Sequence, residues 1–271
     1  MPRKLLILSL CLMMFSIGKV EADMRPDPRT PLPYHVSLLS WEEANKLLPN
    51  KSTFTVLDIE TGKSFLVQRR AGSQHADVQP VTKKDTNIMK DVYGGEWSWK
   101  RRAIIVLSGE TWIAASMHGM PHGAGALPND FPGHFCIHFL GSTTHASHKM
   151  DVSHHLMMLK AAHLLDHHFS VSSIEDTAQA WFVAMKNHDR VILTHIMADQ
   201  DVEKLVTMWE PFQFSRLDTI DLEVEGDLQG RVRISGLFQD NKPFSYYFDV
   251  IRFSPGEPYT IVFPFEELTK K

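Results

Sequence analysis

Two pairs of short apolar runs, each reversed across three residues, limit the first half of this chain to antiparallel sheet. Phe54 to Glu60 and Ser64 to Arg69 flank Thr61-Gly62-Lys63, and Ala103 to Leu107 and Thr111 to Met117 flank Ser108-Gly109-Glu110. A chain that turns back so quickly leaves its arms side by side, so both pairs predict hairpins. Around them, Trp41 to Leu48 reads as a short helix stopped by Pro49-Asn50. Thr82 to Tyr93 reads as a second helix, with Thr82 and Asp85 spaced as a capping box. Residues 118 to 134 are rich in glycine, proline and histidine and predict irregular structure. Phe135 to Leu140 suits a short buried strand, and Val152 to His168 a helix.

The texture changes at Val171. Ile174, Ala178, Trp181, Phe182 and Met185 fall at helical spacing, and a further helix covers about Asp201 to Trp209. Strict alternation follows: Ile220, Leu222 and Val224 against Asp221, Glu223 and Glu225, then Val232 and Ile234 against Arg231 and Arg233. Phe244 to Phe253 and Tyr259 to Phe265 complete a set of strands. Helices followed by an antiparallel meander predict a small α+β domain. Its element order resembles the nuclear-transport-factor-2-like class. The expected organisation is a leader over residues 1–22, a proline-rich lead-in over 23–50, a mostly β first domain with helices over 51–170, and the α+β domain over 171–271.

The leader has the composition of a secretory signal peptide. Arg3 and Lys4 precede an apolar run from Leu5 to Ile17, and Val20-Glu21-Ala22 supplies the cleavage positions. The run is shorter than the roughly 20 residues that span a bilayer. Cys11 follows Leu10 where a lipid-attachment cysteine wants a small residue, so cleavage rather than lipidation is expected. Removing Arg3, Lys4, Lys19 and Glu21 makes the formal charge of −4 more negative still. No basic block offers a nucleic-acid footprint. The expectation is an exported protein, free of the membrane after cleavage, in the cell envelope or medium.

Export sharpens the cysteine count. Cys136 is the one cysteine beyond the leader, so an internal disulfide is impossible, and the thiol is either buried or used. Its neighbours are His134 and His138, with His118, His122 and Gly123 upstream. On a strand, positions 134, 136 and 138 share a face while Phe135 and Ile137 point to the core. An imidazole near a thiol takes its proton or lowers its pKa.

The stretch His122-Gly123, a loop, then Gly133-His134-Phe135-Cys136-Ile137-His138 resembles the L,D-transpeptidases. Those enzymes carry His-Gly, a loop, then Ser/Thr-His-Gly-Cys-apolar-Arg/Asn. The likeness covers roughly Thr53 to His168, and the same string is similar to exported proteins of spore-forming bacteria. It implies a β-sandwich with helices and a catalytic Cys136, with His122 as base and His118 as the other candidate for that role. His134 would orient the base, and Gly123, Gly133 and His138 would line the substrate. It further implies an acyl-enzyme on the sulfur, peptidoglycan stem peptides as partners, and no cofactor. Gly133, Phe135 and His138 depart from the family string, so thiol acyl chemistry carries over better than cross-linking itself.

Two rival readings use the same residues. Histidines crowd the region from His118 through His145 and His148 to His168, and His75-Ala76-Asp77 adds a ligand pair, which suits a secreted zinc hydrolase. His163 and His167 are one helical turn apart. The face bearing His154, His155, His167 and His168 reads as solvated. Alternatively the fold is a non-catalytic module that binds cell-wall peptide. Trp97-Ser98-Trp99 reads either as core or as a sugar-stacking platform.

Overall fold

The computed structural model describes residues 35–144, 149–209 and 212–265, the side chains of 224 and 225 excepted. The leader and residues 23–34 of the lead-in, with His145 and His148, lie outside the described residues.

Both predicted hairpins form. The first joins β2 (Thr53–Asp58) to β3 (Ser64–Ala71), and the second joins β5 (Arg101–Ser108) to β6 (Thr111–His118), with β2 and β5 also paired. A short β1 (Val36–Ser37) lies parallel to the start of β6, and the predicted helix after it forms as α1 (Trp41–Leu47). Between the hairpins runs β4 (Ala76–Pro80), antiparallel to β3. The sequence did not signal this strand, because all five of its residues are buried and it carries no alternation. The last strand, β7 (Phe135–His138), pairs with β4 on one edge and with the end of β6 on the other. That second pairing closes the sheet in the order β6-β5-β2-β3-β4-β7. A six-stranded closed barrel therefore stands where a sandwich was expected: β7 finds partners on both edges, and the sheet curls on itself.

Period-two burial explains why the barrel holds. Phe54 and Val56, Phe65 and Val67, Ile104 and Val106, and Phe135 and Ile137 all enter one core, with Met89 and Val92 of α2 (Lys83–Val92). The capping box at Thr82 forms as expected. Asp85 also accepts the Leu66 amide at 2.9 Å, so the cap ties α2 to β3. On the opposite face of β5 and β6, Ala103 and Ala114 are small enough to admit α3 (Val152–Ala161).

The predicted helix from Val152 to His168 is two helices. His163 adopts a left-handed φ of 56°, and α4 (Leu165–Val171) starts after it, so His163 and His167 do not share a helix. Helices α5 (Ile174–Asn187), α6 (Arg190–Ile196) and α7 (Asp199–Thr207) follow. They precede a four-stranded antiparallel sheet of β8 (Phe214–Gly226), β9 (Gln229–Phe238), β10 (Pro243–Ile251) and β11 (Thr260–Val262). Trp181 of α5 is fully buried against Phe248 and Phe263, while Arg231 and Arg233 on the other face pair with Asp249 and Asp221. Ala103, Ala114, the α3 side chains and this second sheet belong to one continuous core. Among the described residues no helix is long and apolar enough to cross a membrane.

A buried ion network joins the barrel to the helices. Lys160 of α3 donates to Glu60 and to Asp189, both at 2.7 Å, and Asp189 also caps α6. Arg102 of β5 grips Asp58 through two hydrogen bonds and reaches Glu60 at 3.1 Å. Removing one partner of a buried pair leaves the other charge uncompensated, at a cost of about 3 to 5 kcal/mol. Lys160→Met should therefore lower unfolding stability in urea by about that amount. Lys160→Met with Asp189→Asn, which keeps the α6 cap acceptor while removing the charge, should recover part of the loss, whereas a loss equal to or larger than that of the single variant would show that the ion pair is not its source.

Candidate functional site

The site is assembled by strand register. Cys136 lies directly opposite Asp77 in the β4–β7 pair, and His138 opposite Ser116 in the β6–β7 pair. Directly opposed residues share a face and bring their side chains together. The Cys136 thiol accordingly donates to Asp77 Oδ1 at 3.6 Å. Phe135 and Ile137 point the other way into the barrel core, and the Phe135 ring packs on Phe65 and Phe131 rather than over the sulfur.

His122 arrives from the irregular segment. Its backbone makes a two-bond bridge with His134, N to O at 2.9 Å in both directions. Gly123 and Gly133 flank that bridge. A Cβ on Gly123, at φ 60°, would lie 2.3 Å from the His134 ring, and one on Gly133 would lie 2.4 Å from the His122 carbonyl oxygen. These two glycines, expected to line substrate, thus let the histidine rings pack. His122 Nε2 ends 3.3 Å from Cys136 Sγ.

Three rings repeat one arrangement. Nδ1 of His122 meets the Met120 carbonyl at 3.1 Å, Nδ1 of His75 the Thr143 carbonyl at 2.8 Å, and Nδ1 of His134 the Ala124 carbonyl at 3.2 Å. A carbonyl can only accept, so each Nδ1 carries the hydrogen, and each Nε2 is turned toward the Cys136–Asp77 pair. His75 Nε2 lies 3.2 Å and His134 Nε2 3.8 Å from Asp77 Oδ1.

The remaining histidines form a wall. His138 is sandwiched between His75 and His154, with centroids 4.8 and 3.8 Å away and planes 11° apart in both cases. His154, expected on a solvated face, is 2% exposed, and its Nδ1 is 2.9 Å from Ser116 Oγ. The surface reading failed because α3 lies against the barrel with its first turn inward. Of the other three histidines placed on that face, His155 and His168 are partly buried and His167 is exposed. His118 is 4% exposed, and its Nδ1 has no hydrogen-bond partner.

Cys136, His118, His122, His138 and His154 line a cavity of about 290 Å³ with Trp99 and Arg101, while His134 stands behind Asp77, outside the lining. Sequence reasoning overlooked Arg101, Ser116 and Asp151, since nothing local links them to Cys136. Arg101 pairs with Asp151 at 2.9 Å. Burial alone would raise the Asp151 carboxyl, but Arg101 and the His154 amide outweigh it and hold it low. Burial, then Arg101 and neighbouring imidazoles, drives His118 well below the usual histidine range, and burial followed by His138 does the same to His154. Both rings are neutral at physiological pH.

The thiol behaves contrary to expectation. Burial, then the Asp77 charge and its hydrogen bond, push Cys136 up rather than down. A neighbouring imidazole does not by itself make a thiolate when a carboxylate stands opposite. Three groups of residues have ligand atoms within 4.8 Å of one another: His118, His122 and Cys136; His75, Cys136 and His138; and Asp77, His134 and Cys136. All three share the sulfur. A buried cysteine ringed by histidines and an aspartate is thus present, with the composition of a catalytic or metal-binding centre.

No protein-family model matches the chain, and no curated protein matches it either. Its chemistry is read from the geometry alone.

Because the thiol pKa is raised, metal-free protein should react slowly with iodoacetamide at pH 7, its rate still climbing at pH 9. Asp77→Asn removes the opposing charge and should accelerate labelling several-fold at each pH, followed by intact mass. A rate that levels off near pH 7 in the native protein would show a low thiol pKa and overturn this electrostatic picture.

Proposed function

We propose that the outer face of the barrel at β7 binds a divalent transition metal of the zinc class through Cys136, His122 and His118, and that the protein is a metal-dependent hydrolase acting outside the cytoplasm. The observation that carries this reading is the convergence of imidazole Nε2 atoms, each anchored at Nδ1 by a backbone carbonyl, on the buried thiol–carboxylate pair. Ligating histidines in metalloproteins are held in this way by the group on their second nitrogen. Imidazole nitrogens directed at a thiol and a carboxylate would be drawn together by positive charge placed among them. A cation there would also reverse the balance that keeps Cys136 protonated, as metal ligation deprotonates thiols outright.

Spacing supports the same ligand set. Tetrahedral zinc with bonds of about 2.3 Å to sulfur and 2.0 Å to nitrogen places a sulfur and a nitrogen ligand roughly 3.5 Å apart, within about 0.2 Å of the separation found here. The sulfur-to-His122 separation is 3.3 Å. His118 brings a buried ring with a nitrogen that nothing else satisfies. Three protein ligands leave a fourth position toward the cavity for water, whose pKa a zinc-class ion lowers to about 7. Such an ion would supply an activated water there, and the Arg101 guanidinium on the wall of the same cavity would favour negative charge developing on a substrate carbonyl.

A second reading keeps Cys136 as nucleophile with His122 as base, forming an acyl thioester with cell-wall stem peptides. The 3.3 Å contact and the Nδ1 anchor favour it, since they turn Nε2 toward the thiol proton.

Cobalt(II) separates the two. Loaded protein should show a sulfur-to-cobalt charge-transfer band that Cys136→Ser abolishes. His118→Ala and His122→Ala should each weaken zinc binding at least about a hundredfold. Zinc should protect Cys136 from alkylation, and a chelator should abolish hydrolysis. Failure to take up one equivalent of zinc or cobalt, with hydrolysis lost on alkylation but not on chelation, would replace the metal reading with the thiol one. Uptake without any turnover would leave a binding module.

A further inference from the structure

Among the described residues the Cys136 sulfur belongs to three ligand groups, and the reading above uses one of them. His118 and His122 approach it on the cavity wall, where the half-exposed Trp99 ring covers them at 4.7 and 5.7 Å. Trp97, by contrast, packs edge-on to Phe131 against the barrel core. Of the two groups left over, His75 with His138 is the poorer seat. An imidazole lone pair lies in the plane of its ring, and these two rings are stacked with planes 11° apart. Stacked rings do not direct their lone pairs at one point. The planes of His118 and His122 are 41° apart and can converge.

Asp77 and His134 make the better second seat. Asp77 Oδ1 lies 3.6 Å from Cys136 Sγ and 3.8 Å from His134 Nε2. Around tetrahedral zinc a sulfur and an oxygen ligand stand about 3.6 Å apart, and an oxygen and a nitrogen about 3.4 Å. The first separation already fits, and the second needs to close by only about 0.4 Å. His134 Nδ1 meets the Ala124 carbonyl at 3.2 Å, the kind of anchor that a ligating histidine carries on its other nitrogen. Neither Asp77 nor His134 lines the cavity that holds His118 and His122.

The seat is also built in advance. Gln79 of β4 is fully buried, donates to the Gly133 carbonyl at 2.6 Å and accepts the Ala126 amide at 2.9 Å. These bonds hold the loop before β7 against β4 and set His134 beside Asp77. His75 Nε2 meets the same Asp77 oxygen at 3.2 Å, so the carboxylate is approached from a second residue of its own segment.

We propose that Asp77, His134 and Cys136 hold a second divalent ion of the zinc class, and that the Cys136 thiolate bridges it to the ion on His118 and His122. The thiol proton is released to solvent, and the sulfur then forms one bond to each ion. Two bonds of about 2.3 Å to one sulfur keep the ions within about 4.6 Å of each other. The second ion lies away from the cavity lining and clamps β4, β7 and the loop between β6 and β7. The proposal rests on the metal reading above and adds an ion to the same sulfur.

Counting metal tests it. Full-length protein is stripped with a chelator, dialysed against cobalt(II), and read for bound metal and by electron paramagnetic resonance. Native protein should hold two equivalents. Its integrated cobalt signal should be less than half that of two isolated ions, because a thiolate bridge couples the spins. Asp77→Asn, which keeps the side-chain volume, and His134→Ala, at a partly exposed position, should each hold one equivalent with an uncoupled signal. His118→Ala should also hold one, and Cys136→Ser should lose both. Zinc should raise the unfolding temperature of native protein more than that of His134→Ala. One equivalent in native protein, two equivalents without coupling, or two equivalents retained by either Asp77→Asn or His134→Ala would overturn the second ion and leave the single-ion reading standing. No uptake at all would overturn both, so counts of one and of zero tell the two failures apart.

Discussion

Strand β7 has a neighbour on each edge, and the site depends on both pairings. Pairing with β4 sets Cys136 against Asp77, and pairing with β6 sets His138 against Ser116 and draws the end of β6, with His118, alongside. A slip of one residue in either ladder would turn Cys136 and His138 into the barrel core and Phe135 and Ile137 out toward the histidines. The buried aromatic and aliphatic residues of the core thus hold the chemistry in place. Phe135 and Ile137 cannot leave the interior without losing their burial, so Cys136 cannot leave the cavity wall.

What that register assembles is costly for an isolated domain. A thiol, a carboxylate and several imidazoles are brought out of water within a few ångströms of one another, and burial disfavours every charged form. The structure limits the cost by keeping His118 and His154 neutral and Cys136 protonated, and by giving the rings of His75, His122 and His134 a backbone carbonyl at the far nitrogen. Neutral imidazole, the state of His118 and His154, is also the form in which histidine binds metal.

The two halves of the chain meet around α3. Lys160 links the barrel carboxylate Glu60 to the α6 cap Asp189, and Asp151 at the other end of the same helix pairs with Arg101 of β5. His154, one turn into α3, completes the histidine wall. One helix thereby fixes the barrel against the second sheet and supplies part of the site.

Much of this was legible locally. Glycine turns between apolar runs located both hairpins, the capping box located α2, alternation located the second sheet, and the spacing around Cys136 singled out the sulfur with His118, His122, His134 and His138. Those signals are written in neighbouring residues, because turns, caps and strand faces follow from backbone sterics and the periodicity of side chains. Strand β4, the closure of the barrel, the place of Asp77 beside the sulfur and the inward turn of His154 were not legible, and burial with Asp77 decides the ionisation of the thiol. They depend on which strand edge finds which partner and which helix face meets the sheet, matters settled by packing between segments far apart in the chain. The sequence by itself determined which residues could do chemistry; tertiary pairing alone decided that the thiol faces a carboxylate as well as an imidazole, because a pKa is a property of the surroundings and not of the residue.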